Sequence, residues 1–347
     1  MFPYQKAQVS FKKIEEIGHE GQNSKVYRAH DLNLDTEIVI KEVSKENGFS
    51  TEHYFAEART LYRSAHPNVV QVTYACEDEG KVYVASPFYK NGSLKKLMAQ
   101  EHLTVKDIIR FSTHLLNGLH NVHSKGLIHF DIKPDNILIS NRHEALLADF
   151  GLTKIMDENG VAQQDYLYTK QVPPELFGNV KCIFDNRFDI YQAGLTIYRM
   201  CVGDNVFDAQ YDSYFTNGAL DQEKFGRDII RGNFPDRKAY PLHIPKKLQR
   251  VINKCIKPQP VDRYNSAIEV VNAMSDIDGS ILHWKYSVGD DFQQWESEVN
   301  GVTERILIKD NRKSVAYKKN GDSAERKQRQ YCKDNITDND IIRFLEK

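Results

Sequence analysis

The apolar residues of this chain change their period near residue 90, and that change limits the fold more than any other feature. Before it, short β-branched and aromatic runs stand between Asn, Asp and Gly, over 26–29, 37–43, 69–74 and 81–84. Such runs predict strands. One helix is predicted among them, over 54–65. There Phe55, Ala58, Leu61 and Tyr62 recur at three- and four-residue spacing until His66-Pro67-Asn68 stops it. From Ser93 onward the spacing is helical. Ile108, Ile109, Phe111, Leu115, Leu116, Leu119 and Val122 form one broad stripe, as in a buried helix. A strand-rich block followed by a helix-rich block predicts an α+β chain of two lobes, with a cleft between them as a natural ligand site.

The helical pattern breaks again over 275–280. Beyond it, residues 281–347 read as a small α+β module. Strands are predicted around Trp284, Tyr286 and Val288, over 305–308 and over 314–317, with a turn at 310–313 and a closing helix over 338–346. A length of 347 residues with 40% hydrophobic content fits two or three such compact units. Trp284 and Trp295 are expected as core residues or as anchors that dock the module on the large lobe. Residues 305–333 hold ten Lys or Arg against three acids, and include Tyr317 and Tyr331. A solvated surface explains this better than nucleic-acid binding, and the whole chain, with 47 basic and 48 acidic residues, has no global field that would favour nucleic acid or membrane. The longest apolar runs, such as 145–148, are too short to span a bilayer, and the N-terminus lacks the apolar stretch of a signal peptide, so a cytoplasmic location is expected. The five cysteines show no C-x-x-C spacing, and free thiols are expected.

One stretch carries the chemistry: His129-Phe130-Asp131-Ile132-Lys133-Pro134-Asp135-Asn136, followed thirteen residues later by Asp149-Phe150-Gly151. Phosphoryl transfer needs a carboxylate to orient the acceptor hydroxyl, a metal site and a cation for the phosphate. Asp131 suits the first role. Asn136 is a neutral oxygen ligand, Asp149 is an acid beside a flexible Gly, and together they suit a metal. Lys133 suits the moving phosphate. Either motif alone could be a turn, but both at this separation are hard to explain by structure only.

With these motifs, residues 11–278 resemble a eukaryotic-type protein Ser/Thr kinase domain, with a small lobe over about 11–86 and a large lobe over about 90–278. The resemblance implies a bilobal protein-kinase-like fold, ATP with Mg²⁺ or Mn²⁺, and protein substrates with Ser or Thr acceptors. Ile38-Val39-Ile40-Lys41 resembles the strand whose Lys grips the nucleotide phosphates, and Glu57, sixteen residues on, would pair with Lys41. Pro67 opens the next strand, as the family expects. Val172-Pro173-Pro174-Glu175 resembles the end of the activation segment, with Glu175 paired to Arg263. Asp189, five residues before Gly194, would brace the catalytic loop from a central helix. Leu61, Val72, His129 and Phe150 would stack between the lobes. Val26, Val39 and Leu138 would enclose adenine, with Ser86 as gatekeeper and Pro87 and Tyr89 following it at the nucleotide.

The chain departs from the family in several places. The phosphate loop keeps Gly18 and Gly21, but has Ser24 where a third Gly is usual and one extra residue between the glycines. Val39 stands where Ala is usual, and the small Ser86 offsets its bulk in shape. Phe130 replaces the Arg that grips a phosphorylated activation loop, so activity is expected not to need that phosphate. Tyr166, Tyr168 and Thr169 are candidate phosphosites. Thr169 is one position from the Thr that normally contacts the catalytic loop, so either it shifts into that place or Tyr168 occupies it. Lys133-Pro134 resembles Ser/Thr rather than Tyr kinases, and Ser93, Lys95 and Lys96 stand where Arg-directed relatives carry acids. The alternatives are a pseudokinase or scaffold that binds nucleotide without efficient turnover, a small-molecule phosphotransferase, and an adaptor whose C-terminal module binds a regulator or substrate.

Overall fold

The computed structural model describes residues 8–19, 24–45, 51–78, 80–164, 169–177 and 183–347. The strand block forms one antiparallel sheet in the order β1-β2-β3-β5-β4, from β1 (Phe11–His19), β2 (Ser24–Asp31), β3 (Thr36–Ser44), β4 (Tyr74–Asp78) and β5 (Lys81–Pro87). Alternation sorts its side chains. Ile38 and Ile40 of β3 pack with Ala29 and Ala85 in a small core. Val39 and Lys41 point to the other face, where the register sets them beside Ser86 and Val84 of β5 and beside Arg28 and Val26 of β2. Helix α1 (Thr51–Arg63) lies between β3 and β4 in sequence.

The strand expected over 69–74 is corrected. Residues 69–73 lie outside the sheet, and β4 begins only at Tyr74. Val69 and Val70 are buried because they lie against the large lobe, where the Val70 amide donates to the Leu147 carbonyl at 2.9 Å. A run buried by tertiary contact carries the same β-branched signature as a ladder strand.

The large lobe is built on α2 (Leu94–Gln100), α3 (Val105–Ser124), α4 (Arg187–Val202), α5 (Asp204–Asp212), α6 (Gln222–Arg231), α7 (Lys246–Cys255) and α8 (Ala267–Met274). Thr104 caps α3 by accepting the Asp107 amide, and the predicted stripe is buried along the helix except at Ile109, which is half-buried. Helix α4 is buried on all sides from Phe188 to Val202. Two glycines permit its framework to close up. A Cβ on Gly194 would lie 2.5 Å from Cys255 Cβ of α7, and one on Gly118 would lie 2.4 Å from the Asn68 carbonyl. Short antiparallel pairs punctuate the lobe: β6 (Leu127–Ile128) with β9 (Lys154–Ile155), β7 (Ile137–Ile139) with β8 (Ala145–Leu147), β10 (Ala162–Gln163) with β11 (Ile183–Phe184), and β12 (Phe215–Thr216) with β13 (Ala219–Leu220). The two-lobed α+β architecture implied by the resemblance is the one observed. No helix among the described residues is long and apolar enough to cross a membrane.

Residues beyond the large lobe form a five-stranded antiparallel meander in sequential order: β14 (Lys285–Val288), β15 (Phe292–Val299), β16 (Val302–Lys309), β17 (Ser314–Asn320) and β18 (Arg326–Lys327). It is closed on one face by α9 (Asp338–Leu345), which a Thr337–Asp340 capping box starts. Trp284, Trp295, Ile306, Ile308, Ala316, Ile341, Phe344 and Leu345 share this core. Trp284 lies within this core, its indole N–H donating to the Leu345 carbonyl at 2.8 Å. Trp295 also docks. Its indole N–H donates to Nδ1 of the large-lobe His243 at 3.1 Å, and the Tyr286 ring lies 5.1 Å from His102 and 5.0 Å from His243.

Burial lowers the His243 pKa to about 3, with a smaller push from the neighbouring His102, itself lowered by burial. The folded protein therefore holds His243 neutral, as Trp295 requires of its acceptor. The docking contribution is full above an unfolded histidine's pKa of about 6.5. It is lost progressively as pH falls from there towards about 3. Acid titration followed by Trp fluorescence is expected to report that loss in this window. Trp295→Ala is expected to cost about 3–5 kcal/mol of stability in urea unfolding.

Candidate active site

The central segment leaves β6 and passes over the first turns of α4, and α4 holds it residue by residue. Asp189 accepts the His129 amide at 2.8 Å on one carboxylate oxygen and the Phe130 amide at 2.9 Å on the other. One turn on, Gln192 accepts the Ile132 amide at 3.0 Å and donates to the Phe130 carbonyl at 3.1 Å. Asp189 and Gln192 are three apart, so they share a helix face. His123 Nε2 of α3 also meets Asp189, at 2.8 Å. Phe130 sits at φ +66°, a left-handed conformation that a bulky residue adopts only when its surroundings impose it. Those surroundings are the bonds just described and an aromatic cluster. The Phe130 ring stands edge-on to Phe188 at 5.0 Å and to Phe184 at 6.0 Å, with Ala162 beside them.

Asp131 is 2% exposed. Its carboxylate takes Lys133 Nζ at 2.9 and 2.8 Å and Asn136 Nδ2 at 2.7 Å, and Asn136 Nδ2 also reaches the Asp131 carbonyl at 3.0 Å. Burial raises the Asp131 pKa, the nearby Lys133 ammonium opposes that rise, and Asp149 adds to it. Asp131 is thus a stronger base than an exposed aspartate. With its amide turned to Asp131, Asn136 presents its carbonyl oxygen as the group left to bind something else. Pro134–Asn136 forms one short 3-10 turn, which gives Asn136 this return path to Asp131.

His129 is fully buried and burial lowers its pKa. Its Nδ1 accepts the Asp131 amide at 3.3 Å while Nε2 lies 3.2 Å from the Ala148 carbonyl, so the partners assign a neutral ring protonated at Nε2. The Phe150 ring lies 4.9 Å from it. Phe150 and Leu61 share the main core, and Val72 packs against that core. Asp149, at φ +58°, accepts the Gly151 amide at 3.1 Å. Across the cleft, Lys41 Nζ of β3 sits 2.9 and 2.8 Å from the two Glu57 oxygens of α1.

The described residues contain no cluster of three or more His, Cys, Asp or Glu fit for a metal. Asn136 and Asp149 supply hard oxygen donors in small number. That suits an ion such as Mg²⁺ or Mn²⁺, which completes its shell with water and phosphate oxygens. The donor chemistry fits the metal expected from the sequence.

The nucleotide candidates fall on neighbouring elements. Gly18 pairs with Val26 across β1 and β2, while Gly21 lies outside the described residues. The Ser24 hydroxyl is buried and has no hydrogen-bond partner among the described residues. Ser86 and Pro87 end β5, opposite Val39 and Ile38. Tyr89 and Leu138 pack together against Val70, Leu146 and Ala148. Tyr166 and Tyr168 lie outside the described residues, and Thr169 opens a 3-10 turn.

Glu175 and Arg263 meet in two parallel contacts of 2.8 and 2.6 Å. The guanidinium also donates to the carbonyls of Lys257, Arg187 and Pro258 and lies 4.8 Å from the Tyr191 ring, which joins four segments at one buried cation. Sequence reasoning missed Gln192 and His123 as braces, although the spacing of Asp189 and Gln192 on one helix face was a usable signal. It also missed that Lys95 pairs with Asp135, at 2.7 Å.

Residues 11–274 match the family model described as a protein kinase domain. Among curated proteins, the chain is 25% identical over 284 residues to a probable serine/threonine-protein kinase of Clostridium acetobutylicum, covering 79% of this chain and 40% of that protein. It is 27% identical over 271 residues to the serine/threonine-protein kinase pkn3 of Myxococcus xanthus, covering 74% of this chain and 48% of the relative. It is 31% identical over 194 residues to a probable serine/threonine-protein kinase of Dictyostelium discoideum, covering 55% and 28%. The chain thus spans less than half the length of each of these three relatives.

Glu175→Ala is expected to leave the buried Arg263 cation without its counter-charge. A loss of about 3–5 kcal/mol follows. Chemical denaturation of the variant measures it, and a loss below about 1 kcal/mol would show that the carbonyl partners suffice.

Proposed function

The chain belongs to the protein kinase family, and from that premise we propose that it transfers the γ-phosphate of ATP to Ser and Thr hydroxyls of protein substrates. The observation that carries this reading is the Asp131 carboxylate, buried, raised in basicity and held by Lys133 and Asn136. Asp131 orients the acceptor hydroxyl and accepts its proton at a carboxylate oxygen. Lys133, already beside that carboxylate, offsets charge on the phosphoryl group in flight. Lys41 binds the phosphates and is aimed by Glu57. Gly18, Gly21 and Ser24 cover the phosphates, Val26, Val39 and Leu138 enclose the base, and Ser86, Pro87 and Tyr89 border it. Asn136 and Asp149 hold the divalent ion, which, when bound, supplies positive charge to the phosphate oxygens. His129, Phe150, Glu175, Asp189 and Arg263 keep these groups in place.

Phe130 supports a second part of the proposal: the active arrangement does not depend on a phosphate in the activation segment. In place of a cation awaiting a phosphate, the segment is held by apolar contact. Phe130, Phe184 and Phe188 pack together, β10 pairs with β11, and Gln164 donates to the Leu152 carbonyl at 2.9 Å. None of these contacts needs a modification to form.

Three outcomes are expected with labelled ATP, Mg²⁺ and a generic protein acceptor. Asp131→Asn lowers transfer at least about a hundredfold while nucleotide binding persists. Phosphoamino-acid analysis finds phosphoserine and phosphothreonine, and ATP binding by the unaltered chain without any transfer would favour the scaffold reading. Phosphatase treatment leaves the rate unchanged within about twofold, whereas a large loss refutes the role given to Phe130. Because the basic form of Asp131 is required and its pKa is raised, the acid limb of kcat/KM against pH should lie above that of an ordinary aspartate.

A further inference from the structure

The sheet of the C-terminal module has two faces that differ in what covers them. Trp295, Ile306, Ile308 and Ala316 lie on the face closed by α9. Leu307, Val315 and Tyr317 alternate with them on the other face, with Leu307 opposite Val315 and Arg305 opposite Tyr317. These three are half-buried, and they take no part in any hydrophobic cluster among the described residues. The same face carries Lys309 beyond Leu307, Lys319 beyond Tyr317 and, directly across from Tyr317, Lys327. All three lysines are exposed, and none makes an ion pair or side-chain hydrogen bond among the described residues. Neighbouring cations differ. Arg305 pairs with Glu325, Lys318 and Lys347 with Glu304, and Lys333 with Asp340. The acids of this face are Glu296 and Glu298 on β15 and Glu325, which pairs with Arg305, so beyond that pair the face runs from acidic at β15 to basic at β17 and β18.

We propose that the open face of β16, β17 and β18 binds an acidic segment of a partner protein, its apolar residues on Leu307, Val315 and Tyr317 and its carboxylates on Lys309, Lys319 and Lys327. The charge selects an anionic partner. The aromatic inventory selects a peptide over single-stranded nucleic acid, which needs free ring faces for base stacking. The Arg305 guanidinium already lies 5.3 Å from the Tyr317 ring centre, and Phe292 is folded onto Gly289, where a Cβ would come within 2.3 Å of the ring. A lipid surface is disfavoured because Leu307 and Val315 are half-buried among their neighbours and do not protrude as insertion into a bilayer requires. The site is also clear of the cleft. Of the module's two contacts with the large lobe described above, at His243 and at His102, the latter lies before the start of α3, whereas His123 at the end of α3 touches Asp189 under the catalytic loop. A helix of that length separates the two by about 30 Å.

The test uses the full chain without nucleotide and a fluorescein-labelled random copolymer of glutamate and tyrosine, read by fluorescence anisotropy. Binding that weakens with added salt is expected, and the double variant Lys319→Glu/Lys327→Glu should weaken it at least about tenfold. Tyr317→Ala should weaken it separately. Thermal unfolding of the lysine variant should match the unaltered chain, since both residues are exposed. Phosphate transfer to a generic protein acceptor should also be unchanged, so this proposal and the catalytic one fail independently. Equal binding by the double variant overturns the proposal, as does tighter binding of labelled oligothymidine or of phosphatidylserine vesicles than of the copolymer.

Discussion

The buried carboxylate of Asp189 is the contact on which the site depends. It has no exposed surface, and an anion there is tolerable only if its oxygens are fully engaged. The amides of His129 and Phe130 and the His123 ring engage them, and the first turn of α4 adds its favourable dipole. The bond to the Phe130 amide helps to fix that residue at positive φ, and the direction of Asp131 follows from it. The chain of dependence extends outward through α4, which is buried along nearly its whole length. Gly194 lets α7 abut it, and Gly118 lets α3 meet the segment leading into β4. A small error in any of these approaches would be felt at a carboxylate that must sit within a fraction of an ångström of its target.

Phe130 shows how the same backbone geometry can be held by different physics. A guanidinium at this position would leave a buried cation in need of an anion. A phenyl ring instead joins Phe184 and Phe188, and its stabilisation is insensitive to ionic strength. The cost is that an apolar anchor cannot be switched by adding or removing a charge. On the proposal that no activation-segment phosphate is needed, control over this chain acts elsewhere.

Much of this was legible in the sequence because it is local. Asp131, Lys133 and Asn136 fall within six residues of chain, so local geometry can bring them together. Lys41 and Glu57 were legible through the resemblance, which implied their pairing sixteen residues apart. The rest was hidden where burial comes from distant chain. Val69 and Val70 looked like strand residues because contact with Leu147 buries them as a ladder would. Strand β15 was invisible because its buried positions are only Trp295 and Ser297, a single apolar residue beside a polar one. The partners of Phe130 were equally hidden. Phe184 and Phe188 are more than fifty residues away, and no period links them to it.

The stacked rings of His102, Tyr286, His243 and Trp295 also decide what counts as one folding unit. Their contacts make the large lobe and the C-terminal sheet share a core boundary, so the two should melt in one cooperative transition. A chain cut just after α8 would keep every residue of the proposed active site. It would also bare His102, His243 and the apolar ground around Leu242, creating an exposed patch that invites self-association. The module thus covers apolar surface of the lobe around Leu242.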